Sequence, residues 1–593
     1  MKEFMKIVLG TVVGLFLTFM IISILSILSL AGMMINEGMS SPIKDNSILK
    51  INLSGTMQER AESNPLAMIM GEEAEGIALD NALTALDKAA KNEKVKGVYI
   101  EAGILGSSPA MAQELRQAIV KFKKSGKWVI AYGDRYSKMS YYIASAADEV
   151  LLNPSGSVDF SGMASTLMFF KETLAKLGVK MQVFKVGTYK SAVEPYICTE
   201  MSDANREQIS SYLGDVWSQV LKDVSKSRKR SEAELNSLAD TLTVIAKAET
   251  SVEGGLVDRL CYIDEVKETL RKKMGLDDDD DDELIFTTID DMAKSESLDD
   301  KVDDQVAVYY AYGEIVDIAA QGGFSQEHQI VGSKMVNDLQ QLRKDDDIKA
   351  VVIRVNSPGG SAYASEQIWR EIMLLKKEKP VVVSMGGLAA SGGYYISCPA
   401  DKIYAETTTL TGSIGIFGMI PDASELITDK LGVRFDGVKT NKMSDLGANL
   451  GRPFNEAESA MLQSMVEDGY DLFTRRVAEG RGIPQDSVKV IGEGRVWTGR
   501  QGLKIGLVDK IGNLEDAISA ASKLAKLKEY RAVPYPQDDK NPFTAMFNKS
   551  KSGYLDSQIR ETLGEYYSGY SIYKNLRNMN PIQARMPFDV VIK

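Results

Sequence analysis

The chain has 593 residues, of which 44% are hydrophobic and 26% charged, and its net charge at neutral pH is −12. This length exceeds what one hydrophobic core supports, so we expect two or more domains of a globular protein. An acidic chain offers no general basic surface, which excludes nucleic acid as an expected partner. The three cysteines, Cys198, Cys261 and Cys398, have the spacing of neither a metal site nor a disulfide framework, and we expect no metal and no cofactor.

Histidine usage limits the chemistry further, because His328 is the only histidine in the chain. A zinc hydrolase of the His-Glu-x-x-His type is excluded, and a Ser-His-Asp triad would have to recruit His328 from a polar loop. A hydrolase built from this sequence therefore needs another base. Lysine can serve if burial lowers its pKa enough to leave it neutral.

Residues 7–31 form an apolar run without a charge, preceded by Lys2 and Lys6. At ~1.5 Å per residue, about 25 helical residues cross a ~30 Å hydrocarbon layer. The run predicts one N-terminal transmembrane helix, and the preceding lysines place the body outside the cytoplasm. Because Ser29-Leu-Ala31 is an acceptable cleavage site, a cleavable signal peptide remains the alternative.

From residue 47 the pattern alternates between strands and helices. It predicts strands at 48–53, 95–101 and 128–132, with helices around 82–90 and 115–122. Short apolar strands separated by amphipathic helices are typical of a parallel sheet covered by helices.

The same succession recurs 253 residues later. Lys96-Gly-Val-Tyr-Ile100 matches Lys349-Ala-Val-Val-Ile353 at this offset, and Tyr141-Tyr-Ile143 matches Tyr394-Tyr-Ile396. A constant offset over some fifty residues indicates a duplication, so we predict two tandem homologous α/β repeats.

Ser391 lies where an apolar strand at 380–384 and a glycine-lined turn lead into a helix predicted to begin at Tyr394 and extend to Ala400. The neighbouring alanines and glycines leave room for a substrate carbonyl to approach, which suits a nucleophile. The alternative is an ordinary helix N-cap, for which serine is a preferred residue.

A second strand, at 351–355, runs into the turn Asn356-Ser-Pro-Gly-Gly-Ser361. Consecutive glycines allow backbone N–H groups to point at a ligand, as an oxyanion hole requires. We therefore assign Gly359 and Gly360, together with Gly392 beside Ser391, as candidate oxyanion or substrate-binding residues. The alternative is a tight turn without chemistry. The small and apolar stretch 410–418 is expected to line the same crevice.

These motifs, with Gly187-Thr-Tyr-Lys-Ser-Ala-Val-Glu-Pro195, resemble the signal peptide peptidase A family of membrane-anchored serine proteases (peptidase family S49) in its long, duplicated form. The likeness extends from the anchor to about residue 530. It implies repeats like those of the Clp protease and crotonase superfamily and a Ser/Lys catalytic dyad. It also implies a ring-like homo-oligomer, with a tetramer expected.

The resemblance singles out Lys190 as the base, because in duplicated members the lysine of this motif in the first repeat serves the serine of the second. In the first repeat, Lys138 stands at the position equivalent to Ser391, so that repeat lacks the nucleophile. Lys442 occupies the position equivalent to Lys190 in the second repeat and is the alternative base.

The predicted organisation is an anchor and linker at 1–45, a first repeat at 46–275 and an acidic linker at 276–304. A second repeat follows at 305–536, with a C-terminal extension at 537–593. Residues 555–573 of the extension carry a helical apolar stripe that we expect to pack on the body or on a neighbouring subunit.

The resulting functional hypothesis is a serine endopeptidase of the bacterial plasma membrane. Its catalytic body would face the extracytoplasmic side and degrade apolar peptides such as cleaved signal peptides. Two alternatives come from other classes: a crotonase-like acyl-CoA enzyme, and an inactive scaffold that only binds peptides.

Overall fold

The computed structural model describes residues 42–60, 76–241, 243–276, 283–295, 302–318, 328–446, 451–537 and 582–585, and four isolated positions near the N-terminus. Across these ranges no helix is long and apolar enough to cross a membrane. Apart from the four isolated positions, the predicted anchor at 7–31 lies outside the described residues. The acidic run at 277–282 and the stripe at 555–573 also lie outside them.

The strands follow in chain order. They are Ser47–Gln58 (β1), Gly76–Ala78 (β2), Val95–Gly106 (β3), Trp128–Tyr136 (β4), Glu149–Val158 (β5), Lys180–Lys185 (β6), Arg259–Leu260 (β7), Ile285–Thr287 (β8), Gln305–Tyr312 (β9), Glu314–Val316 (β10), Gln329–Val331 (β11), Ile348–Ser357 (β12), Gly359–Ser361 (β13), Val381–Ala390 (β14), Lys402–Ala405 (β15), Leu410–Gly412 (β16), Phe417–Asp422 (β17), Val496–Thr498 (β18), Lys510–Ile511 (β19), Arg531–Tyr535 (β20) and Ile582–Arg585 (β21).

The helices lie between these strands. They are Leu79–Lys91 (α1), Pro109–Lys123 (α2), Lys138–Ala144 (α3), Lys171–Leu177 (α4), Glu194–Ile197 (α5), Asp203–Arg228 (α6), Glu232–Ala239 (α7), Ala248–Glu253 (α8), Ile263–Met274 (α9), Ile289–Lys294 (α10), Gly332–Lys344 (α11), Ala362–Leu375 (α12), Gly392–Ser397 (α13), Glu456–Arg481 (α14), Gln485–Ile491 (α15), Gly499–Lys504 (α16) and Leu514–Leu524 (α17), with a 3₁₀ turn at Ser191–Val193 and a π-helical turn at Leu426–Lys430.

The first sheet is parallel and has the strand order β2-β1-β3-β4-β5-β7, with β8 also paired to β1. Side chains from both faces of its strands are buried. On β3, Val98 and Ile100 belong to one apolar cluster and Tyr99 to another on the opposite face. Burial on both faces explains why these strands read as apolar runs, and it confirms the predicted parallel sheet covered by helices.

The second sheet has the order β18-β16-β14-β12-β9-β20, with β15 joined to β14. Its central strand β12 buries Val351 and Ile353 on one face and Val352 on the other. The elements β12, α12, β14 and α13 follow the same order as β3, α2, β4 and α3, at positions displaced by about the predicted 253 residues. The two tandem α/β repeats are thereby confirmed.

A third, mixed sheet joins the two halves in the order β11-β10-β13-β21-β17-β6. In it, β6 of the first half pairs antiparallel with β17 of the second, from Lys185 opposite Phe417 to Lys180 opposite Asp422. The loop that follows β6 is thereby brought onto the second half.

Two local predictions differ from the structure. The helix predicted from Tyr394 to Ala400 begins at Gly392 and ends at Ser397, with Cys398 as its C-cap, because Pro399 has no backbone N–H to continue the helical hydrogen bonds. The predicted Pro-Gly-Gly turn is a single Pro358 between two strands, because Gly360 pairs with Ile315 as part of β13.

Candidate active site

Ser391 occupies the corner between β14 and α13 in a conformation that side chains rarely adopt. Its φ is 54° and its ψ is −115°, and the residue is fully buried. Its N–H donates to the carbonyl of Gly412 at 2.8 Å, and its carbonyl accepts from Tyr395 N at 2.8 Å. Such a conformation costs ~1–3 kcal/mol and persists only where the surroundings fix it. The two bonds fix the backbone, so the hydroxyl position is determined by the fold.

The alternative of an ordinary helix cap can be judged from the hydroxyl itself. Ser391 stands at the N-cap position of α13, but its side chain makes no capping hydrogen bond. At the equivalent corner of the first repeat, Ser137 does cap α3 by accepting from Ser140 N, and Lys138 follows it. The hydroxyl of Ser391 therefore does not serve the helix.

Lys190 lies in the loop after β6, held against the second repeat. The preceding Tyr189 N–H donates to Glu493 O at 2.9 Å. Gly494 has a φ of 77°, and a Cβ there would come 2.6 Å from Lys190 Cβ. A Cβ at Gly415 would come 3.2 Å from Lys190 Cδ. Because these glycines of the second repeat have no side chain, there is space for the lysine side chain to pass between them.

The amine of Lys190 is fully buried among neutral oxygens. Its Nζ lies 2.9 Å from Ser391 Oγ, 3.1 Å from Ser413 Oγ and 3.2 Å from Ser413 O. Burial holds the pKa of Lys190 well below its usual range near 10.5. A neutral amine has two N–H groups to donate to Ser413 and a lone pair to accept the Ser391 hydroxyl proton. The arrangement can therefore transfer a proton from serine to lysine.

The structure does not bring Lys442 to the same place. Lys442 is exposed, in the turns of residues 441–446. Among the described residues, the side chain within hydrogen-bond distance of Ser391 Oγ is that of Lys190. His328 stacks on Tyr312 with ring centroids 3.7 Å apart, and its Nδ1 lies 2.9 Å from the Tyr312 carbonyl oxygen.

The candidate oxyanion glycines lie together beside Ser391. A Cβ at Gly359, whose φ is 96°, would come 2.6 Å from Gly392 N, and a Cβ at Gly360 would come 2.0 Å from Ile315 O. Only glycine fits at either position. The Gly359 N–H donates to Ser357 Oγ at 3.1 Å. Gly392 is the first residue of α13, where an N–H has no partner within the helix, so its amide is the better placed donor for an oxyanion.

Sequence reasoning did not identify Ser413, although it lies in the stretch 410–418 that was expected to line the crevice. Its φ is 48°, and its N–H donates to Arg495 O at 2.7 Å. Both oxygens of Ser413 consequently face Lys190 Nζ. The small residues of this stretch were a signal for the crevice but not for a contact with the lysine.

Sequence reasoning also missed a buried ion-pair cluster that joins the repeats behind the site. Arg354 on β12 lies 2.9 Å from Glu59 and 2.6 Å from Glu114, and all three are almost fully buried. Glu59 also accepts from the Asn356 side chain at 2.9 Å, while Asn356 Oδ1 accepts from Leu388 N at 3.1 Å. Residues of the first repeat thereby hold the strand ends that carry the candidate site.

Comparison with known families identifies the protein family. The model of peptidase family S49 matches residues 121–277 and again residues 373–528, and a Clp protease family model matches residues 323–409. The chain belongs to peptidase family S49. The two S49 matches lie at the two repeats, and the Clp protease match confirms the expected Clp-like α/β fold.

Curated relatives agree with this membership. The chain is 34% identical over 523 residues to "Protease 4" of Salmonella typhi, covering 86% of this chain and 83% of that protein. It is 33% identical over 553 residues to "Protease 4" of Haemophilus influenzae, covering 88% and 87%. It is 30% identical over 489 residues to "Serine protease SPPA, chloroplastic" of Arabidopsis thaliana, covering 82% and 70%. These S49 relatives are named as proteases, which favours a protease over the acyl-CoA enzyme and the inactive scaffold.

Proposed function

We propose that this S49 protease is a serine endopeptidase in which Ser391 is the nucleophile and Lys190 its general base. The observation that carries the proposal is the 2.9 Å separation of Lys190 Nζ from Ser391 Oγ inside a site where burial favours the neutral amine. A neutral lysine beside a serine hydroxyl performs the role that histidine has in a Ser-His-Asp triad.

The first half of the reaction forms an acyl-enzyme. The lone pair of Lys190 Nζ takes the Ser391 hydroxyl proton while Oγ bonds to the scissile carbonyl carbon, and the carbonyl oxygen becomes an oxyanion. The Gly392 N–H donates to that oxyanion. The C–N bond then breaks, the Lys190 ammonium gives its proton to the leaving amine, and the acyl group remains on Ser391.

The second half uses water in place of serine. Lys190, again neutral, takes a proton from a water molecule that attacks the acyl carbon, and a second oxyanion forms in the same position. When the ester bond breaks, the proton returns from Lys190 to Ser391 Oγ. Both halves require the amine to be held among neutral oxygens, which the two oxygens of Ser413 provide.

The substrates that suit this enzyme are apolar peptides, including signal peptides left after secretion. Support comes from the apolar run at residues 7–31, which would hold the protease in the bacterial plasma membrane with its body outside the cytoplasm. The small and apolar residues at 410–418 border the site and suit small apolar side chains. We also propose a homo-oligomer, with four subunits expected from the family resemblance.

A serine-directed fluorophosphonate tests the nucleophile. We expect the wild-type protein to be labelled at Ser391, as mapped by peptide mass spectrometry, and Ser391→Ala to be unlabelled and inactive on apolar peptides. Ser397→Ala is the matched control, since Ser397 is also buried, in α13, but its hydroxyl donates to Gly393 O within that helix. Activity of Ser391→Ala near the wild-type level would reject the proposal.

Fractionation tests the location. We expect the full-length protein to stay with the membrane after carbonate washing and its body to be accessible to protease added from outside. Recovery of a soluble form beginning near Gly32 would show that residues 7–31 are a cleaved signal peptide. Light scattering of the detergent-extracted protein should give four chains per particle.

A further inference from the structure

The Lys190–Ser391 pair crosses between the repeats, so its geometry depends on how the loop around Lys190 is held against the second repeat. Helix α6 of the first repeat lies at this junction. Its residues Ile209 and Tyr212 are buried in one apolar cluster with Ala390, the residue before Ser391. A polar side chain of α6 is therefore placed where it can contact both repeats close to the site.

Gln208 is such a side chain, and it is fully buried. Its Nε2 lies 3.0 Å from Tyr189 O and 3.1 Å from Ser191 Oγ, which belong to the residues immediately before and after Lys190. The Ser191 hydroxyl itself donates to Tyr189 O at 3.0 Å. One amide group thus contacts the chain on each side of the candidate base.

The other end of the same amide contacts the second repeat. Gln208 Oε1 accepts from Val496 N on β18 at 3.1 Å. Val496 lies opposite Gly412 in the pairing of β18 with β16, and the Gly412 carbonyl accepts from Ser391 N at 2.8 Å. A single buried side chain consequently connects the loop around Lys190 with the strand pair that holds the backbone of Ser391.

Two further buried residues fix the orientation of the Gln208 amide. Asn205, one turn earlier on α6, places Oδ1 3.1 Å from Gln208 Nε2 and donates from Nδ2 to Glu194 at 2.9 Å. Glu194 also accepts from Ser202 Oγ at 2.6 Å. Because oxygens surround Nε2 and an N–H faces Oε1, one orientation of the amide satisfies all of these contacts. Glu194, the acidic residue of the motif at 187–195, supports the glutamine through Asn205.

The second repeat offers an internal comparison, because α14 has the same length as α6 and lies at the repeat offset of 253 residues. Gln208 is the sixth residue of α6, and Met461 is the sixth residue of α14. Met461 is exposed and carries no amide, and Lys442 of the same repeat is exposed as well. The glutamine is therefore present in the repeat whose lysine is buried beside a serine, and absent from the repeat whose lysine is not.

We infer that Gln208 is a positioning residue of the dyad: by contacting the loop around Lys190 and strand β18 together, it keeps Lys190 Nζ within reach of Ser391 Oγ. The inference rests on the proposed function, because it takes Lys190 as the base. A displacement of about 1 Å at a reacting group can cost about 10²-fold in rate. Loss of the Gln208 contacts should therefore lower kcat and leave peptide binding nearly unchanged.

The first experiment measures kcat and KM of full-length Gln208→Met on a short fluorogenic apolar peptide. Methionine keeps the length of the side chain and removes the amide. We expect kcat to fall about 10- to 100-fold while KM stays within about twofold of the wild type. A thermal unfolding transition above the assay temperature shows that the variant is folded.

Gln219→Met is the matched control. Gln219 lies on the same helix about three turns later, is also buried and also contacts the second repeat, but its amide bonds to Asp223 and Arg500, away from the loop around Lys190. We expect its kcat to stay within about twofold of the wild type. Equal values of kcat in Gln208→Met and Gln219→Met overturn the inference.

A second comparison separates positioning of Lys190 from a general effect on the fold. Gln208→Met is combined with Lys190→Ala, and the rate at which a fluorophosphonate labels Ser391 is measured for the single and double variants. If Gln208 acts through Lys190, the double variant should label within about twofold of the rate of Lys190→Ala. Losses that multiply in the double variant overturn the inference.

A milder variant covers the case in which Gln208→Met does not fold. Ser191→Ala removes only the hydroxyl that shares the Tyr189 carbonyl with Gln208. We expect kcat to fall about 2- to 10-fold with KM unchanged, which corresponds to the loss of one net hydrogen bond. An unfolded Gln208→Met together with an unchanged kcat in Ser191→Ala overturns the inference.

The two proposals fail in different ways. If Lys190 is not the base, Lys190→Ala will itself be labelled at Ser391 at the wild-type rate. If only the inference is wrong, Lys190→Ala will lose labelling while Gln208→Met keeps the same kcat as Gln219→Met.

Discussion

Lys190 Nζ and Ser391 Oγ lie within 2.9 Å of each other although 201 positions separate the residues in the chain. The pairing of β6 with β17 makes this possible, because it carries the loop after β6 into the second repeat. The candidate dyad is therefore formed between repeats, and neither repeat contains both residues.

The pH dependence of kcat/KM should report the Lys190 amine. The neutral form is the base, so kcat/KM should rise as pH rises through the pKa of Lys190 in the free enzyme. Burial holds that pKa well below 10.5, and the rise should therefore end well below pH 10.5. A pH–rate profile for a peptide with no titrating groups checks this. A profile that still climbs at pH 10 would mean that the lysine has an ordinary pKa.

Ser413→Ala should lower kcat by about 2- to 10-fold, which corresponds to the loss of one net hydrogen bond. The variant loses the hydroxyl contact to Lys190 at 3.1 Å but keeps the carbonyl contact at 3.2 Å. Steady-state kinetics on the same peptide give the comparison. Ser522→Ala is the control, because Ser522 is also buried but its hydroxyl donates to Ser519 O in α17, away from the site. Equal effects of the two substitutions would argue against a role for Ser413.

Glu406 should make stability depend on pH in a defined direction. Burial, together with the nearby Glu114 carboxylate, raises the pKa of Glu406 to about 8 from 4.5. Between these values the folded protein holds a proton that the unfolded chain releases, so stability is full below pH 4.5 and is lost as pH rises towards 8.

Glu406→Gln removes this titration. The difference in free energy of unfolding, variant minus wild type, should consequently grow between pH 5 and pH 8 and reach roughly 1–3 kcal/mol. The difference in Tm should grow in the same direction. Calorimetry at both pH values tests this, with the exposed Glu93→Gln as the control. A difference that shrinks with rising pH would contradict the assignment.

Arg354→Met should destabilise the protein by about 3–5 kcal/mol, because it leaves Glu59 and Glu114 buried without their cation. Lys50→Met breaks a pair of similar chemistry with Glu101, but both of those side chains are more than 40% exposed. That control should change stability by less than about 1 kcal/mol. Denaturant unfolding of the two variants decides whether the buried cluster holds the repeats together.

The sequence predicted the local elements well, because strands buried on both faces appear as short apolar runs. The predicted strand at 128–132 is part of β4, and the constant offset located the repeats. Lys190 was selected through the family resemblance, since no local pattern separates a buried lysine from an exposed one. Lys442 fitted the repeat equally well and was exposed in the structure.

Apart from the Lys190–Ser391 pair, contacts between distant segments could not be predicted from the sequence. Glu59 reaches Arg354 across 295 positions, and Ser413 reaches Lys190 across 223. These pairs depend on how the two repeats pack, and neither repeat carries a periodic signal for them. The position of β21 between β13 and β17 likewise depends on how distant segments pack. The domain boundaries at 45, 275, 304 and 536 stay predictions.

The most direct test of the account is kcat/KM of Lys190→Ala and of Lys442→Ala, measured side by side on one peptide with labelling at Ser391 as the readout of the nucleophile. Loss of a general base costs about 10²- to 10⁴-fold. The account predicts that loss for Lys190→Ala and a value within about twofold of the wild type for Lys442→Ala. An inactive Lys442→Ala beside an active Lys190→Ala would contradict a Ser391–Lys190 dyad formed between the repeats.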